Sequence, residues 1–385
     1  MKIKNLILAF TVIKICSANE YKTLKDYVGD SGFNVGVAVS SDYFNDNKYV
    51  NATLHFNTIV AENGCKLSAI QPNEGKFDFS SCDEHLKFAQ EHNMEFRGHC
   101  LLWHSYQPKW FESITDAAIM KQTIINHITE VLTYYKGKIK AWDVVNEAID
   151  DDSPENSFAF RNSFLYQALP DFVDVAFNTA RRVDPDVKLF YNDYSTEGRW
   201  PKTFAVYNFI KDLIERNIPI DGVGIQYHTS VKNQPSYYQI NNIISKYCEL
   251  GIEVHITEMD VECDNKCNDS DINDIQGNVF ANALKACLNN TCCTSFLVWG
   301  IADKNSWLGK DKKPLLFDNN YIPKAQYTAL LNVLKDTLGE TIVTENKTDI
   351  STDSGAISIL PSTFYHINFF VLFHLLIIYA YYVFF

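Results

Sequence analysis

The sequence predicts a closed (β/α)8 barrel as a single catalytic domain. Short β-rich runs alternate with longer helical runs from about residue 25 to residue 337. Most of the short runs are nearly continuous in apolar residues, the pattern of strands buried on both faces. The alternation repeats eight times, as a strand–helix barrel requires. The other arrangement of such units, an open doubly wound sheet, usually carries a Gly-rich turn after its first strand. Here Val37-Ala38-Val39-Ser40-Ser41 has none.

The strand candidates are 33–39, 58–63, 95–103, 140–147, 188–194, 222–228, 253–260 and 295–303. Between them, apolar residues at helical spacing predict helices over 116–135, 164–182, 203–217, 237–250 and 272–288. The barrel is expected over 19–337, followed by a polar linker over 338–356 rich in Thr, Asp, Ser and Asn.

The two ends differ from this body. Residues 1–18 open with Lys2 and Lys4, run apolar from Leu6 to Ile15, and close on Cys16, Ser17 and Ala18. That is the pattern of a secretory signal peptide; the alternative is a buried first helix, although nothing amphipathic is visible. Residues 357–385 read as a hydrophobic anchor signal. Ser354, Gly355 and Ala356 supply small residues for cleavage, a moderately polar spacer follows, and an apolar tail begins at Phe369. The expectation is a secreted protein on the outer face of the cell membrane, held by a glycosylphosphatidylinositol anchor. A retained membrane helix is the rival, but it would need about 20 apolar residues and flanking basic ones.

Hydrophobic residues make up 46% of the chain and aromatics 14%, ample for a large core and for surfaces that stack on sugars. The net charge of -13, with no long basic run, argues against a nucleic-acid partner. There are ten cysteines, and loss of Cys16 with the signal leaves an odd number, so at least one stays free or pairs elsewhere. Sequons at Asn51, Asn268, Asn289 and Asn346 are candidate glycosylation sites on surface loops.

Barrels of this kind place their chemistry at the C-terminal ends of the strands. The polar residues there are Glu62 and Asn63, His99 with Trp103 and His104, Asn146 and Glu147, Asn192 and Asp193, Gln226 and His228, Glu258 and Asp260, and Trp299. Glu147 and Glu258 each close an apolar strand, where burial raises a carboxyl's pKa unless a partner compensates. Hydrolysis of a glycosidic bond needs two such groups, one protonated to release the leaving oxygen and one ionised. The bland reading is that either Glu caps the next helix or makes an ion pair. Asn146, beside Glu147, is placed to bond a sugar hydroxyl. His228, ending the neighbouring strand, and Asp260 are placed to keep Glu258 oriented and ionised; a satisfied core histidine is the alternative.

These residues resemble glycoside hydrolase family 10, the endo-β-1,4-xylanases, over about residues 25 to 337. The resemblance rests on Ala61-Glu62-Asn63 with Lys66, Arg97-Gly98-His99 with Trp103-His104-Ser105, and Trp142-Asp143-Val144-Val145-Asn146-Glu147-Ala148. It continues through Tyr191-Asn192-Asp193-Tyr194, Gly224-Ile225-Gln226 with His228, Ile256-Thr257-Glu258-Met259-Asp260, and Val298-Trp299-Gly300 with Asp303-Lys304 and Ser306-Trp307. It implies an endo-acting, retaining hydrolase of xylan by double displacement, with Glu147 as acid/base and Glu258 as nucleophile. His228 and Asp260 would keep Glu258 charged. Glu62, Asn63, Lys66, His99, Trp103, Asn146, Asn192, Gln226, Trp299 and Trp307 would bind substrate.

Three positions depart from the family's pattern. Leu67 stands where Trp is usual, Tyr106 where Gln commonly follows His-Ser, and Thr229 where an aromatic is frequent. They bear on subsite detail. Trp110, Trp142 and Trp200 read as packing. Cys287 and Cys293 flank a short step from a helix end to the strand leading to Trp299, and fungal members of the family carry a similar pair, so a disulfide is expected. Cys263 and Cys267 are a second candidate, and adjacent Cys292 leaves the pairing open. No metal or organic cofactor is expected: Asp150-Asp151-Asp152 reads as a solvated turn, and 262–274 lacks the regular alternation of a calcium loop. A monomer acting on a polysaccharide is expected. The rivals are another β-1,4-glycanase on the same barrel and a non-catalytic surface protein that binds carbohydrate; the latter would be marked by loss of Glu147 or Glu258.

Overall fold

The computed structural model describes residues 22–345. The expected signal peptide, Asn346 and the anchor signal lie outside them, as does most of the expected linker. Nine strands form one parallel sheet: β1 (Asn34–Val39), β2 (Thr58–Ala61), β3 (Glu95–Trp103), β4 (Ala141–Asn146), β5 (Lys188–Asp193), β6 (Gly222–Ile225), β7 (His228–Ser230), β8 (Glu253–Glu262) and β9 (Cys293–Val298). β9 pairs with β1 and β6 with β8, so the sheet closes on itself. β7 continues the line of β6 after Gln226 and Tyr227 and pairs with the upper part of β8, His228 opposite Asp260. The ring therefore has the eight expected staves, the sixth in two pieces. The break falls where Tyr227 takes φ +66°, a conformation that cannot continue a strand.

Near-continuous apolar strands are needed because each stave faces helices outside and other staves inside. The larger core lies between staves and helices. A small separate cluster, Ala38, Val60, Leu297 and Trp299, fills the barrel interior. Below the cleft the interior turns polar: Arg97 pairs with Asp143, and its Nη1 lies 2.6 Å from His255 Nδ1. On the opposite face of the stave Gly98 is required, because a Cβ there would sit 2.1 Å from the indole of the buried Trp142.

The helix Ala117–Tyr135 starts where Asp116 accepts the N–H groups of Ala118 and Ile119. Ile272–Leu288 and Tyr237–Glu249 lie where expected. Four expectations need correction. The run over 164–182 is two helices, Phe164–Ala168 and Phe172–Val183, because Pro170 cannot donate to the turn before it and forces Leu169 to ψ +90°. The last strand ends at Val298 rather than 303, and Gly300 turns the chain at φ +127°. The barrel does not give way to linker at 338: the helix Ala325–Glu345 runs on, and Leu338 packs on the core in the stripe begun by Leu331 and Leu334. Asn51 is exposed as expected but lies on a helix, Asn47–Thr53; Asn268 and Asn289 are exposed too.

The expected disulfide Cys287–Cys293 forms, and so does the second candidate, Cys263–Cys267. Two more, Cys65–Cys82 and Cys248–Cys292, were not anticipated, and Cys100 is the unpaired cysteine among the described residues. Among the described residues no helix is long and apolar enough to cross a membrane.

Candidate active site

A cleft of about 570 Å³ opens at the C-terminal ends of the strands. Twelve of the fourteen residues expected to act there line it: Glu62, Asn63, Lys66, His99, Trp103, Asn146, Glu147, Gln226, His228, Glu258, Trp299 and Trp307. Asn192 and Asp260, both fully buried, stand behind the wall and act on its members. Tyr106 and Tyr194 line the cleft without having been assigned a part.

Glu258 sits within β8 and is 4% exposed. Asn192 donates to its Oε1 at 2.7 Å, and His228 Nε2 lies 3.3 Å from its Oε2. On its other side His228 Nδ1 is 2.9 Å from Asp260 Oδ2, which accepts from the Trp307 indole at 2.8 Å. Burial works against a charge on Glu258, but the bond to His228 and the nearby His99 and His228 outweigh it and hold the carboxyl below the usual glutamate range. Burial likewise opposes the charge on His228; Asp260 and Glu258 overcome it and raise that imidazole to about 10. His99 is also raised to about 10 against its burial, by the adjacent Cys100 and then by Asp143 at 3.0 Å. Each imidazole beside Glu258 is thus itself paired with a buried aspartate, His228 with Asp260 and His99 with Asp143.

Glu147 stands one residue past β4 and is served by neutral donors. Trp103 Nε1 donates to Oε2 at 2.8 Å; Gln226 and Asn146 donate to Oε1 at 2.9 and 3.2 Å. His104 Nδ1 is 4.0 Å from Oε2; burial first, then Arg161 and Lys202, push that imidazole down to about 4, so it adds no charge near pH 7. The two carboxylates belong to one amide network. Asn146 Oδ1 accepts from Gln226 and from Asn192, and Asn192 donates in turn to Glu258. Thr257 donates to Asn192 Oδ1 and fixes its orientation. Gly224 makes room for that amide, since a Cβ there would meet Asn192 Oδ1 at 2.1 Å.

At one end of the cleft Lys66 donates to Asn63 Oδ1 at 2.9 Å and lies over the Trp103 ring at 4.8 Å. Glu62 beside it is raised by burial, partly offset by Lys66. Trp299 is buried edge-on to His99, while Trp307 is 58% exposed, a free indole face at the rim. Tyr106, 80% exposed, adds a second ring 5.4 Å from that of Trp103.

The backbone of Glu147 has φ +57°, a conformation costing a non-glycine residue about 1–3 kcal/mol unless its surroundings impose it. Those surroundings are polar. The Tyr191 hydroxyl accepts the N–H groups of Ala148 and Ile149 and donates to Asp193. Arg161 donates to the carbonyl of Glu147 and to Asp151. Lys202, 2% exposed, lies 2.8 Å from both Asp193 and Asp151. Asp151 lies in an exposed turn, as expected of that acidic run, and is in addition an ion-pair partner of Arg161 and Lys202. Nothing in the sequence marks Arg161 or Lys202, because their partners lie far off in the chain. Trp142 packs in the core as expected. Among the described residues no cluster of three or more His, Cys, Asp or Glu side chains is arranged to hold a metal ion.

The sequence model of glycosyl hydrolase family 10 matches residues 23–333. An endo-1,4-beta-xylanase B of Neocallimastix patriciarum is 55% identical over 321 residues, which cover 83% of this chain and 36% of that protein. An exoglucanase XynX of Acetivibrio thermocellus is 36% identical over 81% of this chain and 29% of its own length. The chain thus spans about a third of the length of each of these two relatives. The crystal structure of xylanase 10B from Thermotoga petrophila RKU-1 in complex with xylobiose superposes with a TM-score of 0.78 at 32% identity, covering 82% of this chain and 98% of that one.

Proposed function

This chain belongs to glycosyl hydrolase family 10, and from that premise we propose that it is a retaining endo-1,4-β-xylanase. The observation that carries the proposal is the pair of differently served carboxylates in one cleft. Glu258, buried beside cationic His228, has the environment of a group that stays ionised into acid. It attacks the anomeric carbon as the bond to the leaving oxygen breaks, and Glu147 gives that oxygen its proton. The product is a glycosyl-enzyme ester. Glu147, now ionised, takes a proton from water, which displaces Glu258 and restores both groups. Asn146, Gln226 and His99 face the sugar at the cleavage point. Glu62, Asn63 and Lys66 hold the next sugar on the non-reducing side, with Trp299 and Trp307 as aromatic walls.

Xylan is the proposed polymer because the relative that is 55% identical carries the name xylanase and the superposed structure holds xylobiose. The relative named exoglucanase keeps a second reading in view, a related β-1,4-glucan. One hydroxymethyl group on C5 separates the two sugars, and a pocket discriminates a methylene-sized difference by only about 1–3 kcal/mol. We further propose that the chain is exported by residues 1–18 and held outside the cell by a lipid attached near Ala356.

The test is a reducing-sugar assay on xylan beside soluble cellulose and mannan, with a proton-NMR time course of the first product. Xylan should dominate and the β-anomer should appear first. Dominant activity on cellulose overturns the substrate, and α-anomer first overturns retention. Run on the medium of intact cells treated with phosphatidylinositol-specific phospholipase C, the same assay should find released activity; activity that stays on the cells refutes the lipid anchor.

A further inference from the structure

The segment after Glu147 is held by a buried polar assembly whose centre, Lys202, takes no part in the reaction above. We infer that Lys202 is a positioning residue for Glu147, acting through Asp193 and Asp151 to keep the Glu147 carboxyl aimed at the leaving oxygen. The inference rests on the reading of Glu147 as the acid/base.

Lys202 opens the helix Pro201–Glu215 at its second residue and is buried, although a lysine there would ordinarily reach solvent. Its ammonium has a carboxylate on two sides, Asp193 and Asp151, and the face of Tyr194 at 3.6 Å. Each carboxylate leads back to the peptide of Glu147. On the Asp193 side, the Tyr191 hydroxyl is held as a donor to the carboxylate and so turns its lone pairs to Ala148 and Ile149 N–H. On the Asp151 side, Arg161 is oriented so that it also reaches the Glu147 carbonyl at 3.3 Å.

The two arms meet on Glu147. The side-chain direction of Glu147 follows from its φ of +57°, and relaxation of that angle swings the carboxyl away. The side-chain donors to Glu147 do not fix φ, because Trp103 and Gln226 bond only its carboxylate. A neutral side chain at 202 would leave Asp193, fully buried, without its counter-ion. Burial would then favour a proton on Asp193, and Tyr191 would face a neutral acid in place of the carboxylate that orients it.

The test compares kcat/KM, which reads the bond-breaking step, for two substrates. Xylotetraose needs its leaving oxygen protonated; 2,4-dinitrophenyl β-xylobioside does not. Lys202→Met should lose about 100-fold on xylotetraose and little on the aryl substrate. Asp151→Asn, which removes the outer arm without stranding a buried charge, should show the same split at about 10-fold. Equal losses on both substrates, or none, overturn the inference. Should Lys202→Met fail to fold, Asp151→Asn decides by the same criterion. Glu147→Ala is measured alongside. If it shows no split, the acid/base reading falls and the inference with it; if it splits while the Lys202 and Asp151 variants do not, the inference alone is wrong.

Discussion

The two carboxylates of the cleft are held by different means. The stave that carries Glu258 is ringed by covalent bonds. Cys248–Cys292 ties the helix before β8 to the approach of β9, Cys287–Cys293 ties the next helix to β9, and Cys263–Cys267 closes the loop after β8. The stave that carries Glu147 has no disulfide; ion pairs and hydrogen bonds around Lys202 and Arg161 hold the chain that follows it. The local electrostatics differ in the same way. Glu258 lies within a strand beside a cationic imidazole, and Glu147 lies past a strand end among neutral donors. A nucleophile that must stay charged suits the first setting. A group that gives and takes a proton in each cycle suits the second, where neither charge state meets an opposing full charge at contact distance.

The largest effect on this contrast is expected at His228. Glu258 is held low, so activity should persist into acid until the pH falls through that lowered value. His228→Asn removes one cation and a hydrogen bond, leaves His99 to oppose burial, and should move the acid limb of kcat/KM upward by about 1–3 pH units. An acid limb that stays in place would show that His228 does not keep Glu258 ionised. The same pairing bears on stability with a definite sign. An imidazole raised from 6.5 to about 10 contributes fully below pH 6.5 and loses its contribution as pH rises toward 10.

A smaller effect, on stability and not on chemistry, is expected from the covalent half. Cys248 and Cys292 are 44 residues apart, and chain entropy makes such a link worth about 4 kcal/mol. Cys65 and Cys82, 17 apart near the Glu62 end of the cleft, should be worth about 3 kcal/mol. Denaturant unfolding of the Cys248→Ala, Cys292→Ala double variant should show the larger loss, with the ratio of kcat/KM for the two substrates above unchanged. A changed ratio would mean that the disulfides, too, position Glu147.

Much of this was legible in the sequence because barrels tie chemistry to strand ends. A run such as Val254-His255-Ile256-Thr257 closed by Glu258 shows both the stave and the group it presents. The break at Pro170 was legible as well, from its missing N–H, yet the apolar spacing on either side reads as one helix. What the sequence hides are contacts between distant residues. Tyr191 and Asp193 stand in a strand motif, but their bonds to Ala148 and Lys202 depend on how loops return. The φ of Glu147 has no sequence mark, since Glu is not a residue that favours that conformation. Asn192 looks like a substrate contact because it ends a stave; only the three-dimensional arrangement turns its amide inward to Glu258. Cys65 and Cys82 give no pairing signal until the short helix Leu67–Ile70 brings the helix Ser80–Glu91 back beside β2.

The most direct measurement concerns Glu258 itself. A 2-fluoro xylobioside with a good leaving group slows the second step, so the glycosyl-enzyme accumulates and survives proteolysis. Peptide mapping by mass spectrometry should then find one added 2-fluoro-xylobiosyl group, on Glu258. A label on Glu147 or any other residue, or turnover with no labelled peptide, would contradict the division of labour between the two carboxylates.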